Sequence, residues 1–189
     1  TWSASRRARA GLRRSFQSLE LFEDLTVESN IRAGADVGRH SRWFTDLFWP
    51  HKQDLSSASV AAIREFNLVD ELDKFPGQLS YGRRRLVGIA RSVASGPSLL
   101  MLDEPAAGLD EVESKELARL VRRLASDWGM GVLLVEHDVG LVMSTCDRIV
   151  VIEFGRVIAT GTPAEIRVNA RVKAAYLGDD SDEEAGVSA

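Results

Sequence analysis

The chain has 189 residues, enough for one domain or slightly more, and its 44% hydrophobic content is ordinary for a protein that buries a real core. Its net charge of -4 at pH 7 argues against a general nucleic-acid binder. Cys146 is the single cysteine, which rules out an intrachain disulfide and suits a reducing cytosol, and no apolar run approaches the roughly 20 residues that span a bilayer.

The start, TWSASRRARAG, has neither the apolar core of a signal peptide nor an initiator Met, and it reads as a cut end. Arg6, Arg7, Arg9, Arg13 and Arg14 crowd this region, with no acid among the first 14 residues. LTVESNIRAG predicts a helix start, capped by Thr26 and favoured by Glu28 in the first turn. Residues 30–78 show little alternation and are expected to be helical, with polar breaks at WPHKQD and KFPGQ. After LSYG, the apolar residues Leu86, Ile89, Ala90 and Val93 fall at i, i+3, i+4 and i+7 and predict an amphipathic helix. Gly88 inside it costs about 1 kcal/mol relative to Ala.

LLML (99–102) predicts a strand covered on both faces. Leu117, Leu120, Val121 and Leu124 predict a second amphipathic helix, ended by GMG. VLLVE (132–136) predicts another buried strand and brings Glu136 and His137 to its end. This strand–helix–strand order implies parallel pairing. RIVVIEFGRVIAT (148–160) predicts a hairpin turning at Phe154-Gly155, and TPAEI opens a last helix with Pro163 in its first turn. The acidic end GDDSDEEAGVSA reads as a solvated, disordered tail.

Chemistry concentrates where apolar strands end in charge. Ligands of open α/β sheets bind at the carboxyl ends of the strands. Asp103 and Glu104 are adjacent, so one can serve a metal ion while the other faces a different atom, a division that phosphoryl transfer uses. Ser80 and Gly82 in LSYGRRR join a hydroxyl and backbone N–H groups to a positive helix end, which makes an anion site or a plain helix cap. His137 at a strand end and Gln17 in RRSFQ carry no meaning alone.

Their order carries more. FQ, LSYGR (79–83), LLMLDE, AGLD (107–110) and VEHD follow one another as the Q-loop, signature, Walker B strand, D-loop and switch-histidine loop of the ATP-binding-cassette (ABC) ATPases do. The chain resembles that family over nearly its whole length. The resemblance implies an α/β fold: part of a P-loop NTPase, with a parallel sheet core, a helical subdomain and a C-terminal β-hairpin plus helix. It implies ATP and Mg²⁺ as cofactors. Gln17 would contact Mg²⁺ and the attacking water. Asp103 would hold Mg²⁺ through water, Glu104 would be the general base, and His137 would contact the γ-phosphate. Ser80 and Gly82 would bind the nucleotide of a second nucleotide-binding domain, and Asp110 would link the two sites. Arg83 stands where the family usually has Gln; as a cofactor-binding residue it would face phosphate or a neighbouring acid, and tuning of the signature rather than its loss is expected there.

Tyr81, LDEPAAGLD, LVEHDVGLVMSTCDRIVVI, GTPAEI and RVKAAYLG resemble the ATPases of branched-chain amino-acid importers. The lipopolysaccharide-exporter ATPase shares the GTPAEI and YLG ending and is the alternative within the family. No G-x-x-x-x-G-K-[ST] phosphate loop occurs in residues 1–189. The chain is therefore expected to be the C-terminal part of the domain, inactive as an ATPase by itself, with an exposed sheet edge and a tendency to self-associate. A non-catalytic binding module without the phosphate loop is the second alternative. A chromosome-maintenance ATPase would need long heptad coiled coils, which the sequence lacks.

The expected division is a Q-loop entry segment (1–29), a helical subdomain with the signature (30–95), the ATPase core (96–177) and the acidic tail (178–189). Transmembrane permease subunits would dock near the Q-loop and residues 30–75, where Trp43, Phe44, Phe48 and Trp49 are candidate contacts or local core. The resemblance places the protein peripherally on the cytoplasmic face of a bacterial inner membrane.

Overall fold

A computed structural model describes residues 2–15, 21–35 and 55–177. Gln17, Trp43, Phe44, Phe48, Trp49 and the acidic tail lie outside the described residues. The chain divides into two compact units, Thr1–His137 and Asp138–Ala189.

The first unit contains helix α1 (Ala4–Arg9), strand β1 (Leu12–Ser15), helices α2 (Val27–Ala35), α3 (Ser57–Glu65) and α4 (Tyr81–Val93), strand β2 (Leu99–Asp103), helix α5 (Glu111–Ser126) and strand β3 (Gly131–Val135). Its three strands form a sheet in the order β1-β2-β3, parallel throughout, with Leu12 opposite Leu99 and Asp103 opposite Val135. The helical expectation for 30–78 holds for the described part, where α2 and α3 are followed by two 3₁₀ turns, Val69–Glu71 and Pro76–Gln78, that lead to α4.

One apolar core runs through this unit. The predicted stripe of α4 (Leu86, Ile89, Ala90, Val93) and that of α5 (Leu117, Leu120, Val121, Leu124) are both buried in it, together with Leu100 and Leu102 of β2. Helix starts follow the capping residues. Ser80 caps α4 by accepting the Arg83 N–H, and Asp110 caps α5 in a reciprocal box with Glu113. The first N–H groups of α2 find carbonyls elsewhere: Val27 donates to Lys74 and Glu28 to Leu72. Asn30, fully buried, ties down the entry to α2; its amide donates to the carbonyls of Phe22, Leu25 and Thr26 and its oxygen accepts from the Phe22 N–H. These bonds satisfy a polar group that burial would otherwise penalise.

The strands are less enclosed than their apolar runs suggest. In β2 only Leu100 and Leu102 are fully buried. In β3 Val132 and Leu134 pack on the core, but Leu133 is 48% and Val135 51% exposed. Among the described residues β3 has a strand partner on one side only, and its side chains alternate between two faces, of which one is covered. The face carrying Leu133 and Val135 is exposed, as expected of a sheet with an uncovered apolar face.

The second unit holds α6 (Val139–Thr145), the hairpin β4 (Ile149–Glu153) and β5 (Arg156–Gly161), α7 (Pro163–Arg167), a short helix α8 (Ala170–Val172) and a π-helical turn, Lys173–Leu177. The hairpin turns where predicted. Phe154 (φ 45°) and Gly155 (φ 75°) are both left-handed, as a two-residue type I′ connection requires. Thr162 caps α7 in a box with Glu165. Ile149, Ala159, Ile166 and Val172 form a small separate core.

Candidate active site at the strand ends

β2 and β3 end side by side, and the candidate residues sit there. Asp103 is the last residue of β2; its Oδ2 lies 2.6 Å from Arg14 Nη2, on the neighbouring strand position. An exposed ion pair of this kind contributes little and exchanges readily for another cation. Glu104 begins the turn. It has a left-handed backbone (φ 44°), which costs a non-glycine residue about 1–2 kcal/mol. Pro105 follows and disfavours the ordinary helical alternative.

The strain is held by several bonds. The Glu104 N–H donates to Val135 O at 2.8 Å, at the end of β3. Arg85, 2% exposed, reaches over from α4; its Nε donates to Pro105 O at 2.9 Å and its Nη2 to Glu104 O. On the other strand end, His137 is 75% exposed, and its Nδ1 lies 3.7 Å from Glu104 Oε1. The side chain of Glu136, beside it, is buried. It accepts the Ala106 N–H at 2.8 Å and the His137 N–H at 3.2 Å. Asp103, Glu104 and His137 thus share one corner of the sheet.

A second group forms where α4 and α5 begin. Ser80 Oγ accepts the Arg83 N–H at 3.3 Å, so the hydroxyl caps its own helix. The Arg83 guanidinium does not face outward; it binds the Glu71 carboxylate at 2.8–3.1 Å and the Asn67 carbonyl. Gly82 packs against the tip of Glu113, where a Cβ would lie 2.1 Å from Oε1 and the carboxylate would have to swing aside. Gly108, left-handed at φ 78°, is likewise covered by the Tyr81 ring, 2.9 Å from a Cβ position. Ser80, Gly82 and Asp110 therefore belong to one packed corner, through Glu113 and Tyr81. Gln17 lies outside the described residues.

The set suits Mg²⁺ and a nucleotide in part. Mg²⁺ keeps several waters and binds through one or two carboxylates plus substrate phosphates, so a single accessible acid such as Asp103 fits it. Among the described residues no cluster of three His, Cys, Asp or Glu side chains could hold a metal ion alone. The sequence signalled Asp103, Glu104 and His137. It gave no sign that Arg85 is a buried support of the same corner, and for Glu136 its only signal was a place beside His137 at the end of the apolar run 132–135.

The ABC transporter family profile matches residues 2–107, more than half of the chain. The chain belongs to the ABC transporter family. A second profile, that of the branched-chain amino acid ATP-binding cassette transporters, matches residues 156–182 of this ABC protein. The chain is 39% identical over 177 residues to the high-affinity branched-chain amino acid transport ATP-binding protein BraF of Pseudomonas aeruginosa, covering 91% of this chain and 69% of BraF. It is 34% identical to the lipopolysaccharide export system ATP-binding protein LptB of Escherichia coli K12, covering 92% of this chain and 68% of LptB. The ADP conformation of MJ1267, an ATP-binding cassette of an ABC transporter, shares the fold at TM-score 0.76 and 23% identity, over 94% of this chain and 72% of MJ1267. The α/β architecture with its parallel sheet is that of the ABC ATPase domain.

Proposed function

We propose that this ABC protein is an ATPase subunit that couples ATP hydrolysis to the import of branched-chain amino acids. The observation that carries the ATPase reading is the corner formed by Asp103, Glu104 and His137, with His137 Nδ1 3.7 Å from Glu104 Oε1. The transport reading is supported by the branched-chain profile at 156–182 and by the higher identity to BraF than to LptB.

Each residue then has a task. Glu104 accepts the proton of the attacking water, as a positioned carboxylate can. His137 is exposed enough to hydrogen-bond a γ-phosphate oxygen. Asp103, now paired with Arg14, would hold Mg²⁺, and the ion would neutralise developing phosphate charge. Ser80 and Gly82, on the corner shared with Asp110, face the nucleotide of a second nucleotide-binding domain, Arg83 braces that corner through its bond to Glu71, and Gln17 would hold Mg²⁺ and orient the attacking water. The Q-loop and residues 30–75 meet the transmembrane permease subunits, and the protein works peripherally at the cytoplasmic membrane face. Among the described residues no helix is long and apolar enough to cross a membrane.

Without a phosphate loop in its sequence, the 189-residue chain alone binds ATP too weakly for turnover, which calorimetry with Mg²⁺ measures directly. The functional test is uptake of labelled leucine, isoleucine and valine by cells lacking the gene. Uptake should fall and return with the wild-type gene but not with E104Q. Unchanged uptake in the deletion strain, or full rescue by E104Q, would refute the reading.

A further inference from the structure

Glu136 is a buried carboxylate to which no step above gives a task. Only 1% of its side chain is exposed, while the adjoining His137 is 75% exposed. A carboxylate is withdrawn from water at a cost unless charge-assisted hydrogen bonds replace the water. Here they do, and each oxygen has its own donor. Oε1 accepts the N–H of Ala106, in the turn that carries Glu104, and Oε2 accepts the N–H of His137. The side chain therefore bridges two turns that are remote in sequence and hold the two reactive groups.

The residue type matters. Only an ionised Asp or Glu offers two acceptor oxygens and no donor. Gln has the same shape, but its amide nitrogen would oppose one of the two N–H groups. Asp is one methylene shorter. The turn in question also needs fixing: Glu104 is left-handed at φ 44°, a conformation that persists when its surroundings over-determine it. Val135 O holds the Glu104 N–H and Arg85 holds the Glu104 and Pro105 carbonyls. Glu136 supplies the bond on the following N–H, at Ala106.

We infer that Glu136 is a positioning residue for the Glu104–His137 pair, its carboxylate bridging the two strand-end turns and fixing the distance between the base and the histidine. The catalytic consequence rests on the ATPase reading; the bridge itself rests on hydrogen-bond geometry alone. A displacement of about 1 Å at a reacting centre can cost about 10²-fold in rate.

Two arms test this. The first is amide exchange by NMR on residues 1–189. The Ala106 amide should be protected in the wild type. In E136Q the Ala106 or the His137 amide should exchange at least ~10-fold faster, and in E136A both should, while the amides of α4 and α5 keep their rates. An Ala106 amide that exchanges like an exposed loop in the wild type overturns the bridge even where neither variant folds. The second arm is ATP turnover by the protein as its gene encodes it, in membrane vesicles. E136Q should lower kcat by ~10-fold or more, in line with a lost positioning contact, and leave KM for ATP within about twofold. Wild-type kcat in E136Q, or a loss that only tracks the folded fraction, overturns the positioning role. Vesicles in which the wild type hydrolyses no ATP would sink the ATPase reading instead, and the exchange arm would still decide the bridge.

Discussion

Replacing Gly34 and Gly88 by alanine, one at a time, is expected to move stability in opposite directions. Both glycines lie inside helices, α2 and α4, and local propensity favours Ala at either by about 0.5–1 kcal/mol. At Gly88 nothing lies within 4 Å of the added Cβ, so Gly88→Ala should keep that gain. At Gly34 the Cβ would stand 2.1 Å from the Arg91 carbonyl oxygen, 2.6 Å from its Cγ and 2.9 Å from its carbonyl carbon. That is more than about 1 Å inside ordinary contact, and the obstacle is backbone, which cannot rotate away. Overpacking of this kind costs about 1–3 kcal/mol. Gly34→Ala should therefore lose about 1–2 kcal/mol net, leaving the two variants about 1.5–3 kcal/mol apart. With a urea slope of roughly 2 kcal/mol/M, their midpoints should differ by about 0.7–1.5 M. Urea titration of residues 1–189, followed by far-ultraviolet circular dichroism at low concentration, measures this. Two midpoints shifted in the same direction would refute the close crossing of α2 over α4.

The other predictions concern the strand-end corner and the second unit. E104Q should lower ATP turnover of the membrane-assembled protein by about 10²-fold or more while nucleotide binding survives, measured by phosphate release and by labelled-nucleotide binding; turnover near wild type would exclude Glu104 as the base. Arg85→Met should destabilise the fold by about 2–4 kcal/mol in chemical denaturation, because the Glu104 and Pro105 carbonyls lose their buried donor; a neutral effect would contradict that clamp. Hydrogen bonds from the backbone and then the hydroxyl of Thr162 hold the Glu165 carboxyl below the usual carboxylate range. Its folded pKa is depressed, so its contribution to stability is present above the unfolded carboxylate value and is lost as pH falls through the folded one. A ¹³C titration should show Glu165 titrating low and Thr162→Ala returning it upward; no change on that substitution would be the contrary result.

Much of the protein could be read along the chain because the relevant contacts are local. The stripe Leu86, Ile89, Ala90 and Val93 needs only 3.6-residue periodicity, and the core takes it as expected. The hairpin turn at Phe154-Gly155 is set by two adjacent residues. Motif order placed Asp103, Glu104 and His137, since strands that pair in parallel bring their carboxyl ends together. VLLV in β3 could not be resolved in this way. A short apolar run looks the same whether one face or both are covered, and Leu133 and Val135 proved to be half exposed.

By itself, the sequence determined the kinds of elements, their order and the family, because propensity, capping and spacing act over a few residues. Only the tertiary structure decided what identical letters do. Arg83, Arg84 and Arg85 are consecutive, yet a helix turns each about 100° from the last. Arg83 binds Glu71, Arg84 binds Glu23, and Arg85 is buried on the Glu104 and Pro105 carbonyls. Gly34 and Gly88 differ in the same way, one against a neighbouring backbone and one against open space. The Glu136 side chain is polar in the sequence and buried in the fold, where one of its two donors comes from a turn 30 residues away. Burial and partnership are properties of distant neighbours, and those exist only once the chain has packed.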